Sequence, residues 1–305
     1  MNVLITGALG FLGKNIAKRF ASEGHYIIGC GRGGIKNEKY YEYGISKWYE
    51  GNIDLSMLSS ISEVPELIVH CAGSGSVSRS IIDPYNDFND SVISTVNILE
   101  YARIKAPDAL FIYPSSPSVN GLHDNTPISI TDPTFPISPY GHHKNICEGI
   151  CRFYNNAYDQ RISIIRFFSV YGKGLTKQLL WDACKKIKTG AQLCFFGTGD
   201  ETRDYIYIDD AVELVFTVSK KHNTSKLLIF NCGNGVAYST SYILNELSVL
   251  FEIPSTYYFT GIVREGDPMY YLANISESLA LGWTPKVKMN DGLAAYVEWF
   301  KTLHA

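Results

Sequence analysis

The sequence predicts an α/β fold, a doubly wound parallel sheet with a smaller, interleaved C-terminal lobe. Three observations predict it. Over the first two-thirds of the chain, short apolar runs alternate with amphipathic stretches, the rhythm of repeated βαβ units. A glycine-rich turn follows the first apolar run directly, and after Gly172 the rhythm gives way to shorter, turn-rich segments.

The elements follow in order. Strands are read at Asn2–Ile5, Tyr26–Cys30, Leu67–Cys71, Ala109–Tyr113 and Ile162–Phe168. Several are continuously apolar, as strands covered on both faces tend to be. Phe88, Val92, Val96 and Leu99 mark one face of a helix near 85–105, and another helix follows Tyr140 to about Tyr158. Beyond Gly172, Leu179, Leu180, Ala183 and Ile187 give a helix, Leu193–Phe196 a short strand and Gly197-Thr198-Gly199-Asp200 a turn. Leu228–Asn231 reads as a strand that could join the edge of the main sheet, and Asn290–Leu303 as a closing helix. With no linker or repeat, the expected division is 1–172, also receiving part of 204–232, and 173–305 packed against it.

Composition narrows the function classes. The 305 residues are 46% hydrophobic and 19% charged, an ordinary globular balance. A net charge of -3 gives no electrostatic reason to expect nucleic acid or an anionic membrane as partner. The 7 Cys are scattered without a C-x-x-C pair, so packing residues in a reducing cytoplasm are expected and no metal site. No leader or membrane-length apolar run is seen, and the expected location is cytoplasmic.

Gly7-Ala8-Leu9-Gly10-Phe11-Leu12-Gly13 lies between a strand and the helical pattern Lys14–Ala21. Gly7 permits the tight turn, Gly10 lets backbone approach a pyrophosphate, and Gly13 lets helix pack on strand. The phosphates would sit on the helix N-terminus, where N–H groups and the dipole favour anions. A glycine-rich turn alone is weak. Its position makes it a Rossmann-type dinucleotide site. The second strand ends in Gly31-Arg32 with no acid until Glu38, which favours NADP, NAD remaining possible should Arg32 be a solvated surface cation.

Tyr140 and Lys144 stand one helical turn apart and point into one cleft. A Lys ammonium beside a phenol favours the ionised phenol and readies its proton for transfer during hydride movement. Tyr113-Pro114-Ser115-Ser116 ends a strand facing the same cleft, where a Ser hydroxyl can bond the reacting oxygen or merely cap a turn. His142 and His143 are expected to face solvent.

Further segments extend the pattern: His70-Cys71-Ala72-Gly73, Asp83-Pro84, Arg166-Phe167-Phe168-Ser169-Val170-Tyr171-Gly172, Gly199–Tyr205, Asp209-Asp210, Arg264-Glu265-Gly266-Asp267-Pro268 and Leu281–Pro285. Together with the glycine turn and Tyr140/Lys144, they resemble the extended short-chain dehydrogenase/reductase family of sugar-nucleotide epimerases, dehydratases and reductases. The resemblance implies a catalytic Ser116, Tyr140 and Lys144. It implies a cofactor site of Gly7, Gly10, Phe11, Leu12, Gly13, Arg32, Asn52, Ile53, Ala72, Gly73, Tyr140 and Lys144. For a nucleoside diphosphate sugar it implies Ser76, Ser116, Ser169, Arg203 and Arg264, the two arginines gripping the diphosphate.

Departures sharpen this. Pro117 and Ser118 stand where the dehydratases carry an Asp-Glu pair, so dehydration is not expected. Asn120 replaces the usual Tyr, Ser169 the usual Asn, and Ser91 stands where many relatives have Asn. The run from Phe168 to Asp182 is similar to dTDP-4-keto-6-deoxyhexose reductases. A reductase of an NDP-4-keto-6-deoxyhexose is therefore expected. The alternatives are an NDP-hexose 4-epimerase that retains NAD and, more distantly, a non-catalytic dinucleotide-sensing protein. Relatives of this kind pair as homodimers through the helices near 85–105 and 140–158, with Phe88, Val92 and Val96 facing either sheet or partner.

Overall fold

Val3, Leu4 and Ile5 are fully buried in the first strand, β1 (Asn2–Thr6), because helices cover both faces of the sheet it enters. The computed structural model describes residues 1–303 except 34–38, 125, 191, 223, 225, 255, 263–265 and 267. From β1 the chain runs through α1 (Phe11–Ser22), β2 (Tyr26–Gly31), β3 (Lys47–Glu50), α2 (Leu55–Ser59) and β4 (Leu67–His70). Helices α3 (Val77–Ile82), α4 (Pro84–Phe88) and α5 (Ser94–Lys105) precede β5 (Leu110–Ser115), and α6 (Pro139–Tyr158) precedes β6 (Ile162–Phe167). Next come β7 (Ser169–Tyr171), α7 (Gln178–Thr189), β8 (Cys194–Phe195), β9 (Thr202–Tyr207), α8 (Ile208–Lys221) and β10 (Leu228–Cys232). The chain closes with β11 (Ala237–Ser239), α9 (Thr240–Leu250), β12 (Tyr258–Phe259), β13 (Tyr270–Tyr271), α10 (Ser276–Ala280) and α11 (Met289–Thr302).

Seven parallel strands form the main sheet in the order β10-β6-β5-β4-β1-β2-β3, the doubly wound architecture expected. Strand order reverses between β1 and β4, which opens a crevice at their carboxyl ends. Strands β7, β9, β11 and β13 make a second sheet, and β8 pairs with β12. Only Phe168 separates β6 from β7, so the chain steps from one sheet to the other beside the end of β5. Among the described residues no helix is long and apolar enough to cross a membrane.

Among the differences from expectation are an edge strand and a broken helix. Lys47–Glu50 is the edge strand β3, and its partly exposed, charged-and-aromatic sequence carries no apolar run to announce it. The single helix expected near 85–105 is broken into α4, a π turn at Asn89–Ile93, and α5. Hydroxyls accompany the widening: Ser94 Oγ donates to Asp90 O at 2.6 Å, and Thr95 Oγ1 to Ser91 O at 2.6 Å. Val92 is core, while Phe88 and Val96 are half-buried.

Helix α6 is fixed by a buried charge cluster. Arg166 on β6 grips Glu148 with two bonds of 2.9 Å, Nε to Oε1 and Nη2 to Oε2, and Ser115 Oγ donates to the same carboxylate at 2.7 Å. Burial pushes the Glu148 carboxyl up, but Arg166 and Ser115 outweigh it and hold its pKa below the ordinary Glu range. Removing one partner leaves the other charge stranded. Glu148→Ala should therefore cost about 3–5 kcal/mol in urea unfolding, and the apolar pair Glu148→Leu/Arg166→Met should recover most of it.

Candidate functional site

The glycine turn forms the floor of the crevice. Gly7 has φ +61°, and a Cβ there would lie 2.8 Å from Ala72 N; a Cβ on Gly13 would collide with Gly7 O. These close approaches pull β1, the start of α1 and the loop after β4 together. Gly10 caps α1 without a side-chain bond, and the first turn holds no acid. The cradle thus suits the pyrophosphate of a dinucleotide, whose charge α1's N-terminal N–H groups would meet. Phe11 and Leu12 open the helix.

The other residues expected at that site lie on several elements. Ala72 N–H donates to Thr6 Oγ1 at 3.0 Å, and Thr6 Oγ1 lies 2.7 Å from His70 Nδ1. Gly73 follows at φ +131°. Asn52 lies beyond β3, and Ile53 O accepts from Asn97 Nδ2 at 3.0 Å. Ser91, in place of the usual Asn, accepts from Ser74 N–H at 3.3 Å. Arg32 is exposed but not simply solvated: its Nη2 lies 3.0 Å from Asp90 Oδ2.

His70 had no role in the sequence reading beyond its motif. It is fully enclosed, stacked near Tyr113, with Ser94 Oγ 3.3 Å from its Nε2. Ser94 Oγ gives its only proton to Asp90 O, so it accepts from Nε2–H, which leaves Nδ1 of His70 to accept the Thr6 hydroxyl proton. Burial, aided by the Lys144 charge, pushes its pKa down to about 3.

Helix α6 brings Lys144, with Tyr140 beside it, to the end of β5. Ser138 caps α6 by accepting Gly141 N–H at 3.1 Å, and Pro139 opens the helix. A Cβ on Gly141 would lie 2.6 Å from Ser118 O, so only glycine lets α6 touch the turn carrying Ser116. Lys144 is buried; its Nζ donates to Pro114 O at 2.8 Å and lies 5.9 Å from the Tyr140 ring centroid. Tyr140 N–H donates to Ser80 Oγ at 3.0 Å. The two serines separate in role: Ser115 gives its proton to Glu148, while Ser116 Oγ accepts Ser118 N–H at 3.2 Å and keeps its own proton for another acceptor. His142 is exposed as expected. His143 corrects the reading: its Nδ1 lies 2.6 Å from the buried Asp87 Oδ2, because α4 packs on that face of α6.

The outer wall is less crowded. Ser76 caps α3, accepting Arg79 N–H at 3.2 Å. Ser169 starts β7 opposite Tyr205. Arg203 lies on β9 with Nη1 2.8 Å from Thr202 O and its guanidinium 5.7 Å from the Tyr271 ring centroid. Asp204 turns inward, accepting N–H bonds from Asn234, Gly235 and Ala273 at 2.6, 2.9 and 3.1 Å. Burial raises its pKa to about 7 against those three donors. Asn120 is buried, with Nδ2 3.1 Å from Pro133 O. Lys177, outside the expected set, has its Nζ 3.3 Å from where a Gly75 Cβ would stand, and burial lowers its pKa. Arg264 lies outside the described residues.

A model of the NAD dependent epimerase/dehydratase family matches residues 3–233. The chain belongs to that family. The chain is 29% identical over 316 residues to a UDP-glucose 4-epimerase of Mycolicibacterium smegmatis, with 99% of each chain covered. It is 27% identical to UDP-glucuronate 4-epimerase 2 of Arabidopsis thaliana, covering 98% of this chain and 76% of the relative. Its fold matches a UDP-glucose 4-epimerase with UDP-glucose from Thermotoga maritima at a TM-score of 0.90 and 26% identity, both chains fully covered. A mutant UDP-glucuronic acid 4-epimerase from Bacillus cereus, in complex with UDP-4-deoxy-4-fluoro-glucuronic acid and NAD, matches at 0.89 and 25%, again over both whole chains.

The enclosed His70 makes the enzyme acid-sensitive. Unfolded His takes up a proton near pH 6.5. Between there and about pH 3 only the unfolded chain is protonated at this position, so stability falls as pH drops through that window. Unfolding free energies measured from pH 7 to 4 should show a shallower acid slope in His70→Gln than in the unsubstituted enzyme.

Proposed function

We propose that this enzyme is a 4-epimerase of a UDP-linked hexose or hexuronate and works with NAD. The observation that carries the reading is Lys144, bonded to Pro114 O at the end of β5 and 5.9 Å from the Tyr140 ring centroid, with the turn after Ser116 packed on Gly141, in a chain alike over its whole length to 4-epimerases. The reductase reading leaned on an Arg32 free to meet NADPH, and that guanidinium is engaged by Asp90. Pro117 and Ser118 supply neither acid nor base for dehydration.

NAD would accept the C4 hydride and return it to the opposite face. The protein's part is the proton and the grip. Tyr140 takes the proton from the C4 hydroxyl and gives it back, with Lys144 holding positive charge beside the phenol. Ser116 donates to the C4 oxygen. Arg203 and Arg264 hold the diphosphate, and Ser76 and Ser169 line the sugar's side. The cofactor is held by Gly7, Gly10, Phe11, Leu12, Gly13, Asn52, Ile53, Ala72 and Gly73.

The enzyme works as a homodimer through α5 and α6. Ile93 at the end of the π turn, Ile104 on α5, and Ile146 and Phe153 on α6 are exposed apolar side chains along these two neighbours. Phe153→Glu should shift the sedimentation coefficient to that of a monomer.

Incubation with UDP-glucose and UDP-glucuronate, with no added nucleotide, should give the C4 epimer of one of them by NMR. Tyr140→Phe should lower kcat by about 10²–10⁴ with substrate binding retained. Stoichiometric loss of NADPH on an NDP-4-ketosugar, with no epimer formed, would restore the reductase.

A further inference from the structure

The second strand ends without the acid that commonly accepts the 2′-hydroxyl of an adenosine ribose. The fold brings a carboxylate from another element to Arg32, the residue that follows this strand. Arg32 Nη2 lies 3.0 Å from Asp90 Oδ2, and Arg79 Nη2 approaches the same oxygen at 3.9 Å. Asp90 belongs to the π turn at Asn89–Ile93, an irregularity that recurs where a helix serves a ligand.

The two partners flank the cradle. A Cβ on Gly31 would lie 3.5 Å from Gly7 Cα, which sets the end of β2 on the glycine turn. A Cβ on Gly73 would lie 3.5 Å from Asp90 O, which sets the π turn on the loop after β4. Because β1 runs between β2 and β4, the Arg32–Asp90 bridge crosses above the glycine turn. A dinucleotide in that crevice has its adenosine ribose beside the end of β2.

We infer that Asp90 is the residue that selects NAD over NADP, by occupying Arg32 and Arg79 and setting a carboxylate where a 2′-phosphate would lie. The inference rests on the proposed dinucleotide site and deepens it. A ribose hydroxyl can donate to Asp90. A phosphate must instead displace a carboxylate from two guanidinium groups and then sit beside its negative charge. The Arg32 side chain is 63% exposed, so the ion pair adds little to folding and can be altered without unfolding the chain.

Titration of the full-length enzyme, freed of bound nucleotide, with NAD and with NADP in a calorimeter reads this without turnover. The unsubstituted enzyme should bind NAD at least about tenfold more tightly than NADP. Asp90→Asn, which frees both guanidinium groups, should tighten NADP about tenfold or more and leave NAD within about threefold. Asp90→Asn/Arg32→Ala should lose most of that gain. An unchanged NAD-to-NADP ratio in Asp90→Asn, or a gain that survives in full without Arg32, overturns the inference. Failure to bind either nucleotide overturns the dinucleotide site with it. Loss of the epimerase reading would be seen only in the product analysis, since the calorimeter reports binding alone.

Discussion

Two opposite charges, one helical turn apart on α6, are buried against the end of β5. Lys144 is satisfied by Pro114 O and Glu148 by Ser115 and Arg166. Neither could be left unpaired in the interior without a large penalty. Together they fix both the rotation of α6 about its axis and its position along it. Tyr140, one turn before Lys144, has little freedom left, and Gly141 then brings the Ser116 turn into contact. Tyr140 is therefore positioned by electrostatics that belong to the core.

The same logic continues across the sheet. His70 is held neutral between Thr6 and Ser94, and Thr6 also receives the N–H of Ala72. One buried ring thus ties the end of β1, the loop after β4 and the start of α5 into a single frame around the cradle. On the far side Asp204 gathers three backbone N–H groups from the β10–β11 loop and the end of β13. Arg203, its neighbour in sequence, stands on a strand that this acid immobilises.

What the sequence disclosed were the strands buried on both faces, because their apolar runs are unbroken. β1, β2, β4, β5 and β6 all lie where the runs placed them, and Leu228–Asn231 does form the sheet's edge as β10. β3 was hidden because Lys47 and Glu50 bracket its aromatic pair on an exposed edge. The glycine turn and the Tyr140/Lys144 spacing were legible because both are local. The long-range polar pairings were not: Arg32 with Asp90, His143 with Asp87, and Arg166 with Glu148 join residues far apart in sequence, and no local pattern announces such partners. The π turn was invisible for a related reason, since the apolar spacing of Phe88, Val92 and Val96 runs through it unbroken.

β10 comes from the chain after the second sheet has begun, yet it pairs with β6 from Leu228↔Ser163 to Cys232↔Phe167. Arg161 Nη2 and Ser163 Oγ both reach His222, just before it, at 2.6 and 2.7 Å. The two halves are consequently braided, not strung in series. Exchanging the C-terminal portion between homologues cannot be done with a single splice near Gly172. Such a chimera would inherit a foreign edge strand on the main sheet, so a workable graft must leave α8 and β10 with the recipient and cross over three times.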